Sequence, residues 1–115
     1  MSFNPSKDDE CFLTTQKHNP CIEFVLGEQK RHGFHSSQLL HYRLEADEEG
    51  SSPMTLTIAF ATADVVVTGF ALGRIADRLR DGDLLLVRTV PSRYAGMARS
   101  RCHVTGISIQ PVEKV

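Results

Sequence analysis

The side chains best suited to chemistry lie toward the C-terminal end of this chain. From Leu84 to Val112 there are four arginines, Arg88, Arg93, Arg99 and Arg101, and no Asp or Glu. Guanidinium groups grip phosphates and carboxylates through paired N–H donors, and Tyr94 adds a ring on which a base can stack. The loop 88–101 therefore reads as a site for an anion or a single-stranded nucleic acid, contacted by Arg88, Arg93, Tyr94, Arg99 and Arg101. The competing reading is a solvated loop whose arginines pair with acidic residues of the same chain or of a neighbour.

Histidine and cysteine offer a second chemistry. His32-x-x-His35 lies in a polar stretch, His41 follows, and Cys102 adjoins His103. Zinc asks for four ligands converging in a tetrahedron. Cys102 and His103 fall on opposite faces of a strand, so only one of them can join a given site. A small metal-dependent or hydrolytic enzyme would have to use His32, His35 and His41, or set a thiol against an imidazole, for example Cys21 against His41 on a neighbouring strand. The bland reading is exposed histidines and free cysteines that pack as small hydrophobes. No metal, no cofactor and no catalytic residue is assigned. The chain lacks G-x-S-x-G, G-x-x-x-x-G-K-[ST] and G-x-G-x-x-G. The acidic run Asp47–Glu49 sits in a solvated loop where nothing tunes a carboxylate. The turn Gly69–Gly73 brings a helix N-terminus after a strand, which is a place for an anion, but bulky Phe70 makes a plain junction the better reading.

These residues must be carried by elements that the hydrophobic pattern defines. Ile22, Phe24 and Leu26 alternate with Glu23 and Val25, the period of a half-buried strand. A polar turn region is expected over 27–33. Leu40, Tyr42 and Leu44 mark a second strand, and Met54, Leu56, Ile58 and Phe60 a third. Val65–Thr68 is a β-branched run that suits a fourth. Leu72, Ile75, Ala76 and Leu79 repeat at helical spacing, which predicts one amphipathic helix over 71–81, ended by Gly82 and weakened at its start by Gly73. Leu84–Val87 and Cys102–Gln110 are the last two strands, the latter with a slip of phase at Gly106 that suggests a bulge.

The order is β-β-β-β-α-β-β, an α+β domain. Short links favour antiparallel pairing. A single helix leaves one sheet face short of cover, yet Val25, Leu39, Val66, Leu85 and Val87 supply apolar residues to second faces. The expected fold is thus a strongly curled antiparallel sheet of about six strands with the helix packed on it, or a homo-oligomer covering that face. Residues 1–19 read as a flexible N-terminal arm, pinned at most by Phe12 and Leu13, and 20–115 as a single domain.

Composition bounds the function. The chain has 115 residues, one domain's worth, with 41% hydrophobic and 23% charged residues, so a disordered or fibrous chain is excluded. It has no apolar run near the ~20 residues that cross a bilayer, and no membrane partner is expected. Three cysteines make a poor disulfide framework, and the N-terminal residues lack a secretory h-region, so a cytoplasmic location is expected. The net charge of −1 splits into −5 over residues 1–70 (5 Lys+Arg, 10 Asp+Glu) and +4 over 71–115 (8 and 4). That excludes a generally basic binder and allows a locally basic one. The leading expectation is a small non-enzymatic binding or interaction module that self-associates as a homo-oligomer. The alternatives are the anion or nucleic-acid binder and the small enzyme.

Overall fold

The computed structural model describes residues 11–15, 21–27, 30–46, 53–89 and 103–112. They form eight strands and one helix: β1 Phe12–Thr14, β2 Cys21–Leu26, β3 Lys30–His35, β4 Leu39–Glu45, β5 Met54–Phe60, β6 Ala63–Phe70, α1 Gly73–Asp81, β7 Leu84–Arg88 and β8 His103–Pro111. The strands make two four-stranded sheets, with orders β1-β7-β2-β3 and β4-β5-β6-β8. The fold class is α+β.

Two points correct the sequence expectation. Neither sheet is strongly curled. The apolar surplus is taken up by two sheets that share one core, which needs more strands than the six expected. Leu39 packs against that core and Val87 is fully buried within it. The second point is the polar stretch 27–33, most of which belongs to a strand. Lys30–His35 pairs antiparallel with β2, joining Ile22 to Phe34 and Phe24 to His32.

Aromatic side chains tie the sheets together. Phe60 of β5 stacks on Phe34 of β3 at 4.3 Å and 8°, and meets Phe24 of β2 edge-on at 6.1 Å. Leu56, Ile58 and Phe60 line the inner face of β5, with Val65 and Val67 of β6 opposite them in register. A 3-10 turn, Ser36–Gln38, carries the chain from β3 at the edge of one sheet to β4 at the edge of the other.

The helix carries it back. β6 runs into α1, which buries Ile75, Ala76 and Leu79 and ends at Gly82 in the left-handed conformation, φ 78°. The Gly82 N–H donates to the carbonyls of Arg78 and Leu79 at 3.0 and 3.2 Å. β7 then inserts between β1 and β2, antiparallel to β1 and parallel to β2. β2 and β7 are separated by four strands and α1 in the chain, so the antiparallel default that short links set does not apply to this pair. The N-terminal stretch contributes β1, and Cys11 and Phe12 lie in the core. On β8 the register with β6 shifts between Thr68 and Gly69, so Thr105 is the extra residue of a bulge beside Gly106. No helix among the described residues is long and apolar enough to cross a membrane.

Candidate functional site

Of the residues expected to hold an anion, Arg88 is described. It ends β7, half-buried, opposite Val25 of β2, and its backbone N–H donates to the Cys11 carbonyl at 2.9 Å. The strand register fixes this position, so Arg88 belongs to the sheet rather than to a free loop. Arg93, Tyr94, Arg99 and Arg101 lie outside the described residues, as does Cys102.

The histidines are dispersed. His32 and His35 are three residues apart on β3 and face opposite sides of the sheet. His41 is exposed on β4, in the other sheet. Among the described residues no three His, Cys, Asp or Glu side chains come together in a way that holds a metal ion. Cys21 and His41 are not on neighbouring strands: Cys21 stands opposite His35 on β3, and β4 belongs to the other sheet. The His35 ring is turned toward its own chain, with Nδ1 2.8 Å from Ser37 Oγ and accepting from the Ser37 backbone N–H at 3.3 Å. His103 is buried at the start of β8, its ring 6.5 Å from that of Phe70, and among the described residues its Nε2 has no hydrogen-bond partner.

The helix presents paired charge. Arg78 donates to Asp83 at 2.8 Å and to Asp81 at 3.0 Å. Arg80 is held above its ordinary guanidinium value by the hydrogen bond to Asp81 and then by the Asp81 and Asp77 charges. Arg78 and Arg80 are already partnered by acids of their own helix and by Asp83, two residues beyond its end.

What the structure offers for binding is its edges. Among the described residues β1, β3, β4 and β8 each end a sheet, with one side outside the ladders. Edges are usually blunted by brevity, Lys, Pro or a bulge. β1 has three residues, β3 begins with Lys30 and Arg31, and β8 carries the Thr105 bulge and ends at Pro111. β4 has seven residues without Lys or Pro, and its bulge at Leu40 leaves 41–45 in unbroken register with β5. It also exposes Leu40 (65%) and Tyr42 (37%), two of the three large hydrophobic side chains that are exposed among the described residues. Sequence reasoning placed this strand but not its edge position. Periodicity reports which residues alternate, and it is silent on which neighbour is missing.

No protein-family model matches the chain, and neither a curated protein nor a solved structure is significantly similar to it.

Proposed function

We propose that this chain is a non-enzymatic interaction module that self-associates through the outer edge of β4. The observation that carries the reading is the pair Leu40 and Tyr42, exposed on the one long edge strand among the described residues that has neither Lys nor Pro. A strand can pair antiparallel with its own copy about a two-fold axis, so one edge supplies both halves of the interface. Pairing would extend β8-β6-β5-β4 into a sheet of twice the width and satisfy the free backbone groups. It would also remove Leu40 and Tyr42 from water. Fully burying a Leu side chain gives roughly 1.5–3 kcal/mol, so the exposed part of Leu40 supplies about 1–2 kcal/mol from each copy.

The test is the solution mass by light scattering or sedimentation, with Leu40→Lys as the perturbation. The wild type is expected at twice 12.8 kDa or above, and the variant at 12.8 kDa. A wild type that stays monomeric throughout the micromolar range overturns the reading.

A further inference from the structure

We propose that β3 carries a stacking site for a base of a single-stranded nucleic acid, with His32 as the platform and Lys30 engaging the adjoining phosphate. The site lies in the sheet that does not contain β4. It begins with a column of rings. His32 stacks on Phe34 at 4.5 Å and 24°, and Phe34 stacks on Phe60 at 4.3 Å and 8°. Phe34 is buried and Phe24 braces it edge-on at 6.0 Å, so the base of the column is fixed by the core. His32 is exposed at its outer end. One face of the imidazole is covered by Phe34. Side chains two apart share a face of a strand, so the other face turns toward Lys30.

The charge around the ring suits a nucleotide. Lys30 lies two residues from His32 on the same face of β3, and it is exposed. Arg31 falls on the opposite face, where it pairs with Glu23 at 3.2 Å. A base inserted on His32 places its backbone beside Lys30. Stacking on a side-chain ring is tolerant of base identity, so the ligand class is any flexible single strand rather than a defined sequence. A free phosphate or an acidic peptide would use the cation and ignore the ring.

The experiment is fluorescence anisotropy on the full chain with a labelled oligothymidylate and with an abasic oligonucleotide of equal charge. Oligothymidylate binds at low salt, and the abasic strand binds about fivefold more weakly or worse, the equivalent of one lost stack. His32→Ala brings oligothymidylate down to the abasic level, while His32→Phe keeps the stack and stays within about twofold of wild type. One phosphate contact predicts a roughly 2.6-fold loss of affinity between 50 and 200 mM salt, and Lys30→Ala flattens that slope. His32 is exposed, so its variants retain the wild-type melting curve. Absence of binding at low salt overturns the proposal. So does equal affinity for the abasic strand, displacement by polyglutamate of matched charge as effective as by DNA, or binding that survives His32→Ala and is abolished by Arg99→Ala/Arg101→Ala.

Discussion

Truncating Phe60 probes the feature on which the fold depends, the shared core between the sheets. Its ring is 1% exposed and meets two rings of the other sheet, Phe34 at 4.3 Å and Phe24 at 6.1 Å. Phe60→Ala removes the apolar volume and leaves a cavity where the sheets meet, at a cost of about 3–5 kcal/mol. A domain of this size is stable by roughly 5–15 kcal/mol, so the loss takes a large part of the total. At about 4 °C per kcal/mol, the melting temperature falls by roughly 12–20 °C. Thermal unfolding followed by circular dichroism measures it. Contact with Phe34 is isolated by a double-mutant cycle with Phe34→Leu and Phe60→Leu, where ring pairing predicts a coupling of about 0.5–1.5 kcal/mol. A shift of less than about 4 °C for Phe60→Ala, or leucine variants that add within about 0.3 kcal/mol, would show that the two sheets do not meet at these rings.

The remaining predictions concern two backbone positions. Gly69 faces β8 so closely that an added Cβ would lie 2.0 Å from the His103 carbonyl oxygen and 2.9 Å from Val104 Cα. Both obstacles are backbone, so Gly69→Ala forces β6 and β8 apart and costs about 1–3 kcal/mol or more by denaturant titration. An unchanged midpoint would mean that β8 does not approach Gly69. Gly82 ends α1 at φ 78°, a conformation that a Cβ disfavours, and Gly82→Ala costs about 1 kcal/mol in the same assay. A neutral or stabilising effect would place the end of the helix elsewhere.

Much of this fold was legible in the sequence because most strands have one clearly buried side. Leu56, Ile58 and Phe60 alternate with Thr55, Thr57 and Ala59, and the pattern marks β5 at once. The helix was equally plain, since Ile75, Ala76 and Leu79 fall on one face and Gly82 follows; α1 begins at Gly73, within the weak first turn expected there. β3 was not legible. Only Phe34 of its six residues is buried, so the strand is held by pairing with β2 and by one ring, and periodicity has nothing to register. The curl was inferred from the number of apolar residues on second faces. Counting cannot distinguish one sheet bent on itself from two sheets facing each other. The 3-10 turn Ser36–Gln38 decides between them by ending one sheet and starting the other.

The functional residues divide in the same way. The arginines of the 88–101 loop drew attention because charge is visible in a sequence, and of these Arg88 is anchored in β7. The edge position of β4 and the ring column under His32 are properties of pairing and packing, which composition does not encode. Leu40 and Tyr42 read as ordinary strand residues in the sequence; in the structure they are exposed on a strand that ends its sheet among the described residues.

The proposed meeting of two copies at the outer edge of β4 is open to sedimentation equilibrium of the wild type and of Leu40→Lys. The expected wild-type mass is at least twice 12.8 kDa, falling to 12.8 kDa in the variant, with the melting curve of the dissociated chain preserved. A wild type that sediments at 12.8 kDa across the micromolar range, or an oligomer indifferent to Leu40→Lys, contradicts it.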